Sequence, residues 1–435
     1  MSDKILKRSI LLRMVLIGFL AICLLIPSAL IIALVSERKG ARDSAVSEVS
    51  DKWGNAQTIL GPVLTVPYVV TSTPKKGEDV RTTSFLHVLP ENLSMAVTLT
   101  PTIRYRGIYE AVLYSAQVLM EGSISLPDAS RLGIAAQDMQ WDKAHLTIGM
   151  SDLRGIRDSV NMRFGEQNLV AEPGVKSSDF AESGITFAPA LDPAQKDWRF
   201  SAAIQLNGSG QMLFVPAGKT TEIRLSAPWG KPSFVGNRLP DSRTIESNAF
   251  AAEWKVLHLN RSFPQMWTGK QHDLSKSAFG VALLPPIDEY QKTMRSAKYA
   301  VMFIAFTFLA FFLTEVLSGR ILHPIQYALI GFAVLLFYVL LLSLSEQIAF
   351  KYAYLISSLS IILLIAGYTK SILSSLAPAA MISGILAVLF GFMYALLQLE
   401  DYVLMIGSIG LFVALALVMY LTRKIDWFDV GARQT

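Results

Sequence analysis

The chain has 435 residues, 52% hydrophobic and 17% charged, with a formal net charge of +5 and a mean hydropathy of +0.42. That average joins an apolar population to a water-soluble one, so local windows decide more than the mean. Cys23 is the single cysteine, which excludes a disulfide-built fold and a cysteine zinc site. No basic patch interleaved with aromatics offers a nucleic-acid interface.

The first apolar segment is residues 14–35, preceded by Lys4, Lys7, Arg8 and Arg13. Its 22 residues exceed a signal-peptide core and no small-x-small site ends it, so it reads as an uncleaved anchor. Helical spacing continues through Ala41, Ala45, Val46, Val49 and Trp53, which predicts a stalk projecting to about Gly54.

Strand language follows. Residues 60–67 form a β-rich run with proline punctuation, and Val112, Tyr114, Ala116, Val118 and Met120 alternate. The clearest hairpin has arms 200–206 and 211–215, turned by Asn207-Gly208-Ser209-Gly210. Many short strands spaced by turns predict an antiparallel, sandwich-like β domain over residues 55–287, as one large or two small sandwiches.

From residue 288 a second stalk helix is expected to enter the next span without a break. Five more apolar segments follow: 299–317, 325–344, 352–369, 376–399 and 402–421. A bilayer core about 30 Å thick takes about 20 helical residues, so the prediction is six transmembrane helices. The fold class is thus a membrane protein, α plus β, divided into 1–54 (first helix and stalk), 55–287 (β domain) and 288–435 (stalk and helices two to six).

Orientation follows from Lys and Arg beside the spans. Lys4, Lys7, Arg8, Arg13, Arg320, Lys370, Arg423 and Lys424 place both termini in the cytoplasm. Glu346, Lys351, Glu400 and Asp401 mark short outside turns, with Glu346 expected to be solvated, and the β domain is then outside. Arg38, Lys39, Arg42, Arg295 and Lys298 fall on the other side, but a long domain translocates largely regardless of charge.

Catalytic signatures are missing: no Walker glycine loop, no His-Glu-x-x-His and no Gly-x-Ser-x-Gly. The five histidines, His87, His145, His258, His272 and His323, are isolated in sequence. Ordinary structural or surface roles are their default reading. Glu315, near the cytoplasmic end of its span, reads as an acid snorkelling to the interface or as a functional group. No cofactor or metal site is expected.

Several strings in chain order resemble the CreD family of bacterial inner-membrane, cell envelope integrity proteins. They are Gly61-Pro62 with Val66-Pro67, Asp152-Leu153-Arg154-Gly155-Ile156, and Trp229 followed by Pro232-x-Phe234-x-Gly236-x-x-Leu239-Pro240. Phe250-x-Ala252-x-Trp254, Lys298-Tyr299-Ala300, Arg320-x-x-His323-Pro324-x-Gln326-Tyr327, Leu344-Ser345-Glu346 and Leu421-Thr422-Arg423-x-Ile425-Asp426-Trp427 complete the set. The resemblance implies a Gram-negative inner-membrane protein with a periplasmic domain, associated with two-component regulation, envelope stress, β-lactam response and colicin tolerance. It brings no catalytic residues.

Gly155 and Gly236 read as turn positions closed to side chains. Asp152 and Arg154 read as a local ion pair or a ligand-facing pair, and Trp229, Phe234 and Trp254 as core aromatics. His323 stands beside a helix N-terminus with Pro324 in its first turn, and is the fourth candidate site residue with Asp152, Arg154 and Glu315.

The expectation is a non-enzymatic envelope protein whose outer domain contacts a periplasmic or inner-membrane protein partner, beside membrane lipids. Its rival is a transporter or lipid-handling channel in the C-terminal helices, and a membrane enzyme comes third.

Overall fold

The computed structural model describes residues 10–72, 80–126, 128–283, 289–318, 322–373, 375–399 and 403–423. Lys4, Lys7, Arg8, Arg320, Glu400, Asp401, Lys424 and the Ile425-Asp426-Trp427 string lie outside them. The chain forms two compact units, one of Met1–Arg42 with Asp288–Thr435 and one of Asp43–Ile287.

In the helical unit, α1 (Ile10–Cys23) and α2 (Leu25–Trp53) run on as one apolar-then-polar helix, Leu12–Trp53. The unit boundary falls inside α2, after Arg42. The second stalk is not continuous with its span. α3 (Glu289–Lys298) and α4 (Ala300–Ser318) meet at a 47° bend, although no proline or glycine stands there.

Next come α5 (Pro324–Ser345), α6 (Phe350–Leu373), α7 (Leu376–Gln398) and α8 (Val403–Thr422). Four helices are long and apolar enough to cross a membrane, and the bent pair makes a fifth. The apolar stretch Met405–Tyr420 of α8 is shorter, so the described helices number fewer full spans than the six expected.

α4 packs on both α5 and α7, and α6 packs between those two, so the four close into a ring. Aromatics fill its interior. The Phe390 ring lies 4.5 Å from Phe303 and 4.7 Å from Phe337, and Tyr354 lies 5.3 Å from Phe337 and 5.1 Å from Tyr394.

The β unit is one apolar core between two sheets. The first has the order β13 (Pro232–Gly236), β17 (Phe279–Leu283), β11 (Gln211–Val215), β1 (Gln57–Ser72), β5 (His145–Met150), β9 (Gly184–Phe187), β8 (Glu172–Pro173). β2 (Val80–Val88) branches from β1 and carries β16 (Met266–Thr268). The second has the order β14 (Ser242–Ile245), β15 (Phe250–Leu257), β12 (Thr220–Ala227), β3 (Asn92–Arg106), β4 (Tyr109–Ser125), β10 (Asp197–Ser209), β6 (Asn161–Phe164), β7 (Gln167–Val170).

Two findings correct the sequence reading of this unit. It is antiparallel except for β1 against β11 and β3 against β12, both parallel. The expected hairpin at 200–215 does not form. Instead β10 pairs with β4 and β6 in one sheet, while β11 pairs with β1 and β17 in the other. Asn207, Gly208 and Ser209 are still strand, opposite Ser115, Tyr114 and Leu113. The chain changes sheet at Gly210, whose φ of 68° is open to glycine without strain.

Candidate functional site

The strand register assembles a polar row that sequence spacing hides. Thr65 on β1 faces His87 on one side and His145 on the other, and His87 faces Trp267 on β16. Directly opposed residues share a sheet face, so Trp267, His87, Thr65 and His145 stand in one line. All four are buried.

His87 Nε2 lies 2.9 Å from Asp179 Oδ2 and its Nδ1 lies 3.0 Å from Thr65 Oγ1. A carboxylate only accepts, so Nε2 carries the proton and the Thr65 hydroxyl donates to Nδ1. Phe180 stands edge-on to the ring at 5.0 Å, and Trp267 lies at 5.2 Å. Burial pushes the His87 pKa down, against the upward pull of Asp179.

His145 donates from Nδ1 to the Lys143 carbonyl at 3.3 Å, and its buried Nε2 has no partner among the described residues. Burial, with smaller contributions from Lys176 and His87, brings its pKa down to about 4.

Asp179 and Phe180 also line a cleft of about 810 Å³, with Glu182, Lys270, His272 and Asp273 among its walls. His272 lies 6.0 Å from Trp267, so a third histidine borders the cluster. Among the described residues, no group of three His, Cys, Asp or Glu side chains is placed to hold a metal. Thr65 is fully buried, so the Thr65–His87–Asp179 chain orients the carboxylate in the cleft rather than presenting a nucleophile.

Asp152 and Arg154 form a clasp in the β unit. Asp152 caps the short turn after β5, accepting from the Arg154 backbone at 3.0 Å. The guanidinium grips the same carboxylate twice, Nε to Oδ1 at 3.0 Å and Nη2 to Oδ2 at 2.9 Å. Oδ2 also accepts from Asn55 N at 2.9 Å, and Arg154 Nη1 donates to the Asp51 carbonyl at 3.0 Å, where a cation suits the helix C-terminus.

Gln57 Nε2 bridges the carbonyls of Asp152 and Asn207, and Trp53 Nε1 donates to the Tyr114 carbonyl at 3.1 Å. A Cβ on Gly155 would sit 2.3 Å from Asn207 O, so only glycine fits. The pair is a structural tie fixing the end of α2 to β1, β4 and β10.

Hydrogen bonds from Arg154 hold the Asp152 carboxyl below the usual range. Its stabilisation is present above the ordinary Asp value of about 4 and is lost as pH falls through the depressed one. Asp152→Ala is expected to destabilise the β unit by about 2–3 kcal/mol, since a charged acceptor with several donors disappears. Urea titration at pH 7 measures this, and a loss under 0.5 kcal/mol would remove the clasp.

In the helical unit Glu315 does not snorkel. It is 5% exposed and bonded through Oε1 to Arg13 Nη1 at 3.0 Å and through Oε2 to the Tyr327 hydroxyl at 2.9 Å. Glu346 is not simply solvated either. It accepts from the Tyr290 hydroxyl at 2.9 Å and lies 3.7 Å from Arg38 Nε, while the Arg42 guanidinium stands 5.8 Å from the Tyr290 ring centroid. Glu315 therefore ties α1 to α4 and α5, and Glu346 ties α2 and α3 to the end of α5.

The family described as "Inner membrane protein CreD" matches residues 9–428. The inner membrane protein CreD of Escherichia coli (strain K12) is 32% identical over 413 residues, covering 93% of this chain and 91% of that protein. The chain belongs to the CreD family.

The CreD-like strings now have physical roles. His323 caps α5 of this CreD-family chain: Nδ1 accepts from Ile325 N at 3.3 Å, and Gln326 Oε1 accepts from His323 N at 2.8 Å, with Pro324 in the first turn. His323→Ala is expected to cost about 1 kcal/mol, read as a small fall in thermal midpoint with insertion intact.

Gly236 has a φ of 96° and lies against Ala278, and Trp254 is buried while Trp229 and Phe234 pack at the core's edge. The four candidates separate in space by unit. Asp152 and Arg154 meet in one, Glu315 and His323 stand in the other, and the His87–Asp179 cluster was invisible without the register.

Proposed function

We propose that this chain is a non-enzymatic inner-membrane protein supporting envelope integrity and the response to envelope stress or β-lactams, with its β domain contacting an envelope partner. The reading places six spans in the bilayer, counting α8, with both termini cytoplasmic and the β domain periplasmic. The observation that carries it is the ring α4–α7, filled by Phe303, Phe337, Tyr354 and Phe390. Glu315, the one buried acid among its described residues, is already paired. Such an interior supports an anchoring base better than a transport route, because intramembrane carboxylates of transporters face a cavity. The cleft beside Asp179, lined by both apolar and charged side chains, is the concave surface a partner would use.

Two measurements test the reading. In a Cys23→Ser background, Ser178→Cys is expected to react with an impermeant maleimide in cells whose outer membrane alone is opened. Thr422→Cys is expected to react only after the inner membrane is breached, and the reverse pattern overturns the topology. Replacing residues 55–285 by a short linker is expected to abolish envelope protection while the helices still insert. Full protection by the domainless chain overturns the partner-binding role.

A further inference from the structure

The segment between β8 and β9 reaches the His87–Trp267 end of the polar row as a loop with its ends drawn together. Gly174 N donates to the Gly184 carbonyl at 2.9 Å, and the Thr186 hydroxyl donates to the Gly174 carbonyl at 2.7 Å. Gly174 has a φ of 97° with open space where a side chain would be, as a hinge requires. Between these pins the loop touches the row through Asp179 on His87 Nε2 and Phe180 on the imidazole edge. Its residues 178–183 also form one wall of the 810 Å³ cleft.

We propose that residues 174–184 are an acid-released flap: neutral His87 and His145 hold it shut, and their protonation frees it and widens the cleft. This goes beyond the envelope role and stands on the cluster itself, whether or not a partner is found.

The groups facing the two histidines settle the direction. From β1 comes Thr65, from β16 Trp267, and from the flap come Asp179, Phe180 and the Lys176 cation; the histidines face each other across Thr65. Phe85 stands 6.4 Å from His145, and His272 lies beyond Trp267. Asp179 favours a charged imidazole at His87, and the Lys143 carbonyl favours one at His145.

Against it stand burial of both rings, the His145 Nε2 that has no partner among the described residues, the Lys176 charge and the second histidine. Opening the flap carries Lys176 away and lets water reach the rings. Protons therefore bind the open form more tightly, and acid shifts the equilibrium towards it. With His145 at about 4 when closed and about 6.5 when solvated, one histidine alone favours opening roughly 20-fold more at pH 5 than at pH 7.

The test is hydrogen exchange on the full chain in detergent, corrected for the intrinsic pH dependence. Peptides covering 174–184 are expected to lose about 20-fold protection between pH 7 and pH 5, while β3 and β4 keep theirs. His145→Gln is expected to flatten that dependence. Unchanged flap protection in the wild type, or an equal loss in His145→Gln, overturns the proposal. Should the variant fail to accumulate, an acid-tolerant glutamyl protease reads the wild type alone. Cleavage after Glu182, normalised to an unfolded substrate at each pH, rises at least tenfold at pH 5 if the flap opens, and no rise overturns it.

Discussion

Arg13→Leu is expected to destabilise the helical unit by about 3–5 kcal/mol, because it leaves the Glu315 carboxylate buried without its cation. The partner atoms are 3.0 Å apart and the acid is 5% exposed, so water does not compensate the loss. Glu315→Leu alone breaks the same pair from the other side. The double variant Arg13→Leu with Glu315→Leu should recover most of the loss, since replacing a buried pair by apolar side chains is often neutral. Tyr327→Phe removes one hydrogen bond to the charged acceptor and should cost only about 1.5–3 kcal/mol. Unfolding of the purified protein in mixed detergent, read by far-UV circular dichroism, gives all four values. A double-variant loss equal to the sum of the two single losses would show that the two residues act independently.

Trp254 carries the second large effect. It is 1% exposed in the β core, with Phe279 at 5.7 Å and Phe234 at 5.9 Å, and its indole N–H has no partner among the described residues. Trp254→Ala opens a cavity the size of an indole and is expected to cost about 3–5 kcal/mol. Trp254→Phe leaves a smaller void and also removes a buried donor whose unpaired state costs about 1–3 kcal/mol. The two effects oppose, so the phenylalanine variant should lose about 1 kcal/mol or less. Urea unfolding separates them, and similar losses in both variants would mean that the indole N–H is satisfied in solution.

Much of the architecture was legible because it depends on local period. The alternation at Val112, Tyr114, Ala116, Val118 and Met120 is the buried face of β4, and the stalk ends at Trp53, one residue before Gly54. The hairpin at 200–215 misled because Gly208 and Gly210 look alike in sequence. The first is glycine because the Tyr114 ring would meet a Cβ, and the second because its φ is positive. The bend between α3 and α4 has no proline or glycine to announce it in the sequence.

The candidate sites show the same division. Asp152 and Arg154 are two residues apart, so their pairing could be anticipated. Arg13 and Glu315 are 302 apart, and His87 and Asp179 are 92 apart. Those partners emerge only from helix packing and strand register. Glu346 likewise takes its neighbours from Tyr290 and Arg38, on helices remote in sequence.

α8 meets the rest of its unit through α7, where the Phe392 ring occupies the space that a side chain on Gly410 would fill. Ile409, Phe412, Val413, Leu415 and Met419 are each more than half exposed. Since α4–α7 close without it, this last helix is an appendage on a finished ring. The outward face of α8 can thus change its side chains without disturbing the scaffold beneath it, provided one glycine keeps its place for one ring.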